Sequence, residues 1–379
     1  MMNVKCFDNF SQLPESYSVL FNEAERASFD LGREWYAHLA ATALPPGNRA
    51  LLYGIAHHEE DRPAAVLPLR HMQNERALFS LTTYYSSLYA PLVEASIQND
   101  ALTSLFKSLK NTNQGWESLK LNPMPNDQSV YNATVDALKR AGWLAFPYFC
   151  FGNWYLSVEG RQYDQYSQTL PSRLRNTIKR KSKQFFNRAE GKLEIVTGGD
   201  ALERAIEIYN NIYQSSWKKP EPFPDFIPGL IRLFSSKGQL RLGIAYTNDI
   251  PIAAQIWIVS HGRAAIYKLA YDEKYSNLSA GSILTEHLMR HVIDVDQVDE
   301  VDYLVGDDAY KKDWMNHRRE RWGIMAYNPR TLRGLVGAVN EMVRRAFKSV
   351  WQPLMQSLSS LLKTIKNIGN NKGNKNVAS

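Results

Sequence analysis

The chain has 379 residues, 44% of them hydrophobic and 12% aromatic, with two cysteines and a formal net charge of +7. This length and apolar content fit two cored domains and exclude a disordered chain. Cys6 and Cys150 are too few for a disulfide framework or an unaided zinc site, and no run approaches the roughly 18 apolar residues of a membrane span. Residues 1–8 lack a basic-then-apolar signal pattern, so the expected address is the reducing cytoplasm.

Residues 16–40 read as helical, ending at the breaker Pro45-Pro46-Gly47-Asn48. Strands are expected over 50–57 and 63–72, where Ala65, Leu67 and Leu69 alternate, with strand character continuing over 77–83 and 88–93. A helix (101–111), a strand (117–121), a helix (127–141) and an apolar strand (144–158) follow. The second half opens with a basic helix over 161–189, then a strand at 193–197, a helix at 201–217 capped by Asp200, a Pro-rich loop at 219–228 and a helix at 229–236. Strands at 240–246, 251–260 and 263–271, a helix at 282–293 and a strand at 301–305 complete it. Hairpins followed by alternating helix and strand predict a mixed α+β fold, each sheet flanked by helices.

All of the net charge falls after Arg330, where eight basic residues face one acid, Glu341. The preceding body is neutral overall, which argues against sequence-specific nucleic-acid binding. In the tail, Leu332, Leu335, Val336, Val339, Met342, Val343, Phe347 and Trp351 recur at three-to-four spacing as one apolar stripe opposite a basic face. That stripe either folds back on the second domain or lies on an anionic membrane surface through residues 331–366. Residues 367–379 read as a disordered end.

The most informative stretch is 270–314. A small-residue turn, Asn277-Leu278-Ser279-Ala280-Gly281, feeds a helix, leaving backbone N–H groups at the positive end of the helix dipole, which suits the pyrophosphate of a carrier such as coenzyme A. The alternative is an ordinary helix start capped by Ser279 or Ser282. His287 and His291 lie four apart on that helix, yet no HExxH pattern or third ligand accompanies them, so no metal site is expected.

Ala270-Tyr271-Asp272-Glu273-Lys274-Tyr275, Leu278-Ser279-Ala280-Gly281-Ser282-Ile283-Leu284 and Gly306-Asp307-Asp308-Ala309-Tyr310-Lys311, in this order and spacing, resemble the acetyltransferase domain of Fem-type and cellulose-biosynthesis-associated proteins of the GNAT superfamily. The resemblance covers about residues 168–327. It implies two tandem GNAT-like domains, here 1–160 and 161–330, followed by the tail 331–379. It further implies an acyltransferase moving an acyl group from acyl-CoA or acyl-carrier protein, used as co-substrate with no tightly bound cofactor, to an amino or hydroxyl group of a cell-envelope or polysaccharide-related acceptor. Two rival functions are a Fem-type peptidyltransferase using aminoacyl-tRNA and a non-catalytic tethering protein of an exopolysaccharide system.

For acyl transfer, Asp307 is the candidate base or amine ligand, Tyr310 the acid for the departing carrier, and Lys311 the phosphate or oxyanion partner. Ser279, Ala280, Gly281 and Ser282, assisted by Lys274, would hold the donor. Against these stand bland readings: Asp308 caps a helix over 309–314, and the lysines are solvated. The basic helix bearing Arg173, Arg180, Lys183 and Arg188 is either a structural face or a phosphate contact. Tyr84, Tyr85, Tyr89 and Trp35 line an acceptor cleft or belong to the core.

Overall fold

The same succession of elements occurs twice along the chain. The computed structural model describes residues 3–57 and 62–349. In the first half β1 (Asn3–Phe7) leads through α1 (Ser18–Glu25) and α2 (Arg33–Thr42) to β2 (Asn48–Ala56), β3 (Pro63–Met72) and β4 (Ala77–Ser80), with the short β5 (Leu92–Val93) beside β3. Then come α3 (Gln98–Asn111), β6 (Ser118–Pro125), α4 (Ser129–Arg140) and β7 (Leu144–Ser157). After α5 (Tyr163–Thr169) and α6 (Ser172–Arg188), the second half repeats the pattern. It runs β8 (Gly191–Val196), α7 (Leu202–Gln214), α8 (Phe226–Ser236), β9 (Leu240–Thr247), β10 (Ile250–Ser260), β11 (Arg263–Tyr271), α9 (Ala280–Asp294), β12 (Glu300–Asp302), α10 (Lys311–Trp314) and β13 (His317–Tyr327). β4 runs parallel to β6 as β11 does to β12, and the neighbouring hairpin strands are antiparallel in both halves. A last helix, α11, spans residues 332–349.

The mixed sheet flanked by helices is as expected, but among the described residues the two sheets are joined into one of thirteen strands, and the halves exchange their closing strands. The order is β1-β2-β3-β4-β6-β13-β7-β12-β11-β10-β9-β8. β13, from the end of the second half, pairs antiparallel with β6, while β7 pairs antiparallel with β12. The two exchanged strands also pair with each other from His317↔Tyr155 to Tyr327↔Leu144.

Strand alternation sends side chains to two faces. On one face α1, α2, α7 and α8 share a single core across both halves, with Trp35 edge-on to Phe226 (centroids 5.6 Å apart) and Phe29 edge-on to Phe234 (5.5 Å). On the other, α3 and α4 cover the first half around Leu105, Phe106 and Leu138, and α5, α6 and α9 cover the second around Trp257, Leu284 and Leu288. Burying about 25 cal/mol for each square ångström of apolar surface, these three clusters hold the sheet between its helices. The basic helix is broken into α5 and α6 at Leu170-Pro171: proline lacks an N–H and holds Leu170 extended, at ψ 148°. Asp200 lies in a 3-10 turn before α7 and makes no side-chain cap.

Candidate active site

The sheet forks between β11 and β12. The two strands pair only from Arg263↔Glu300 to Ala265↔Asp302, after which β11 continues to Tyr271 beside β10 alone. The expected strand over 301–305 ends early because Leu304 adopts a left-handed conformation (φ 54°) that turns the chain out of the sheet. Buried polar groups fix that turn. Asp302 Oδ1 accepts the Leu304 N–H at 2.6 Å and Asn153 Nδ2 donates to the Leu304 carbonyl at 2.8 Å. Arg319, on the exchanged strand β13, pairs with Asp302 (2.5 Å) and Glu300 (2.8 Å) and donates to Asn153 Oδ1 (2.7 Å).

The fork opens into a cleft of two lobes. One, of about 490 Å³, is bordered by Tyr84, Tyr85, Lys218, Lys268, Asp308 and Lys311. The other, of about 400 Å³, is bordered by Gln255, Tyr271, Ser279, Gly281, Ser282 and Thr285. Trp217, Leu269, Tyr303 and Tyr310 line both and mark where they meet.

In the second lobe α9 starts at Ala280 behind Ser279, a left-handed residue (φ 56°, ψ 34°) that makes no side-chain cap. Ser282 and Ile283 donate their N–H groups to the Ser279 carbonyl (3.1 and 3.2 Å), leaving those of Ala280 and Gly281 without an acceptor among the described residues. The helix start is pinned to β10 by the buried Gln255, whose Nε2 donates to the Gly281 carbonyl and Thr285 Oγ1, both at 2.9 Å, while Trp257 Nε1 donates to its Oε1. A Cβ built on Gly281 meets nothing closer than Tyr271 Cδ1 at 3.7 Å. Ser279, Ala280, Gly281 and Ser282 thus border one lobe; Lys274 does not, being exposed in the preceding turn with its N–H on Asp272 Oδ1.

In the first lobe Lys218 Nζ donates to the Leu269 carbonyl on the open edge of β11 (2.5 Å). Burial, reinforced by the neighbouring Lys268, pulls its ammonium down to about 8. Lys268 pairs with Glu221 Oε1 at 2.5 Å and lies 4.7 and 4.9 Å from the ring centroids of Tyr84 and Tyr85, and the Tyr85 hydroxyl donates to Glu221 Oε2 (2.7 Å). At the junction Tyr310 stands edge-on to Tyr303 (5.8 Å), and burial followed by the nearby Asp308 pushes its phenol up to about 12. At neutral pH it is a protonated donor.

Asp307 stands apart from the cleft. It borders neither lobe; it pairs with Arg318 (2.8 Å) and accepts from Trp154 Nε1 (2.6 Å), and the Arg318 hydrogen bond foremost holds its carboxyl below the usual range. A carboxylate so stabilised is a poor base. Lys311 does border the cleft, but its buried Nζ donates to the Val305 carbonyl (2.5 Å) and pairs with Asp308 (3.2 Å), tying down the loop before α10 instead of reaching outward. Asp308 makes no side-chain cap on α10. Tyr84 and Tyr85 border the cleft, whereas Tyr89 and Trp35 are core, 0% and 1% exposed.

Lys218, Lys268, Glu221 and Gln255 were not singled out from the sequence. Only Gln255 left a trace there, as the one amide in the apolar run Ile252–Val259. On the basic helix, Lys181 Nζ donates to the Asn277 carbonyl (2.5 Å), so one of its cations supports the turn before α9. Among the described residues no group of three or more His, Cys, Asp or Glu side chains is placed to hold a metal.

Residues 172–312 match the family model described as "Acetyltransferase (GNAT) domain". Among solved structures the chain is similar to FemX, with 11% identity, 78% of this chain and 95% of that one covered, and a TM-score of 0.54. It is also similar to L-PGS from Bacillus licheniformis, with 11% identity, 88% and 97% coverage and a TM-score of 0.50. At such identity these likenesses concern the fold alone. No curated protein matches the chain.

Proposed function

We propose, from the premise that residues 172–312 form a GNAT acetyltransferase domain, that this protein transfers an acyl group from a thioester donor to an amino or hydroxyl group across the forked sheet. The observation that carries the reading is that the two lobes meet at Tyr310, with unpaired helix N–H groups on one side and a lysine-and-tyrosine wall on the other. Donor phosphates would sit at Ala280 and Gly281, and the donor's amide arm would follow the edge of β11 that no described strand covers, as an added strand does. The acceptor occupies the Tyr84–Lys268 side. Its nitrogen or oxygen attacks the thioester carbon, a bond to carbon forms, the C–S bond breaks, and the thiolate departs with the Tyr310 proton. Lys218 takes the proton released by the nucleophile, the role first considered for Asp307, because its affinity for a proton lies near working pH. An acceptor from the cell envelope or its polysaccharides is the class that the resemblance to Fem-type and cellulose-associated proteins suggests.

Gly281→Val tests the donor lobe. The glycine has ordinary helical backbone and room for a Cβ, so the fold should persist while the branched side chain fills the space needed for close approach to the helix start. Titration calorimetry with coenzyme A should show binding to the native chain and at least about tenfold weaker binding to the variant; equal affinities would remove this lobe from the donor's path. Lys218 gives a pH signature. Its neutral form is the active one, so kcat/KM should climb as pH rises toward about 8 and level off above it. Lys218→Met should lower kcat by roughly a hundredfold and abolish that limb. A limb that survives in the variant would belong to another group.

A further inference from the structure

α11 packs on the body through its small side. Gly334 and Ala338 are buried, a Cβ on Gly334 would come within 2.2 Å of the Asn328 carbonyl oxygen, and Glu341 is 8% exposed and bonded to Arg344 and Arg345. Arg345 in turn donates to the Pro147 carbonyl at 2.7 Å, over the Phe146 ring. This docking fixes which way the helix faces. Its apolar stripe points outward: Leu332, Leu335, Val336, Val339, Met342 and Val343 are 44–79% exposed. Of the two readings of the stripe, folding onto the second domain does not hold for the described residues. Arg333, Arg344 and Lys348 fall at i, i+11 and i+15, on one face that flanks the stripe. Among the described residues no helix is long and apolar enough to cross a membrane.

We propose that this outward face of α11 is a membrane-docking surface that lies in the interfacial zone of a bilayer containing anionic lipids. The occupant follows from the pairing of features. An apolar arc on a helix of about 18 residues, or 27 Å, bordered by cations and braced from behind, matches a hydrocarbon boundary beneath negative headgroups. The sequence takes up the same spacing again through Val350, Trp351, Leu354, Leu358 and Ile365, interrupted near Pro353, with Lys363 and Lys366 beside it. Since the body is neutral overall, the cations after Arg330 supply the charge that the surface selects for.

The test uses the full chain and sedimentation with vesicles of phosphatidylcholine alone or with about one third phosphatidylglycerol. The native chain should sediment with the anionic vesicles, more weakly as salt is raised, and little with the neutral ones. The triple variant Val336→Glu, Val339→Glu, Val343→Glu should keep the native melting temperature, because these side chains already face outward, and lose vesicle binding at least about tenfold. Three results would overturn the proposal: no binding of the native chain, undiminished binding of the triple variant, or a dimer in sedimentation velocity that the variant dissolves, which would assign the face to a second copy of this chain. A fall of several degrees in the variant's melting temperature, with no vesicle binding by the native chain, would assign it to the chain's own residues after 349.

Discussion

Tyr310→Phe is expected to lower kcat by roughly two to three orders of magnitude while leaving donor affinity within about twofold of native. The hydroxyl is the only atom removed, so the ring would still border both lobes and keep its edge-on contact with Tyr303. The thiolate would then leave without a positioned proton. Because the phenol titrates near 12, the native rate should show no loss from its ionisation anywhere below about pH 11. Single-turnover kinetics with an acyl-CoA, run beside calorimetry, separate chemistry from binding. A variant with full turnover would move the acid to another group, with Tyr303 the next phenol in line.

Asp302→Ala should destabilise the protein by about 3–5 kcal/mol, the range found when one member of a buried ion pair is removed. Its carboxylate holds Arg319 and the Leu304 N–H at once, with side-chain exposures of 14% for Arg319 and 12% for Asp302. Alanine would leave the buried guanidinium with Glu300 as its one carboxylate partner, beside the Asn153 oxygen, and would take away the acceptor of the Leu304 N–H. Urea unfolding measures the loss. Asp302→Asn is the companion, since it retains an acceptor for Leu304 but discards the charge, and should fall between. A loss under about 1 kcal/mol for the alanine variant would mean that Leu304 keeps its conformation without this network.

Local signals carried most of the elements. Alternation in 63–72 and the apolar run of 251–260 gave β3 and β10, and the small-residue turn at Ser279–Gly281 gave the start of α9. The lobe at that helix start was legible because its residues are contiguous. Of the opposite wall only Tyr84 and Tyr85 were legible, since Lys218 and Lys268 come from distant segments and meet the tyrosines only through the packing of α7 and α8 against the sheet. Asp307 and Lys311 show the same dependence on partners. Residue type suggested chemistry, but whether a charge serves a reaction or holds a loop depends on partners such as Arg318 and the Val305 carbonyl, which sequence spacing does not reveal. The exchange of β7 and β13 was equally hidden: both are antiparallel-compatible strands, and nothing local distinguishes pairing with β6 from pairing with β12.

That exchange has a cost in time during synthesis. When β7 leaves the ribosome, β6 has β4 on one side but lacks its other neighbour, because the strand that completes it begins at His317, about 160 residues later. At roughly 5–20 residues per second the edge stays open for on the order of ten to thirty seconds, long enough for a stray strand to add to it. The nascent first half must therefore be shielded or remain loosely formed until the last strand arrives, and a chain ending before His317 would expose the same edge permanently and aggregate.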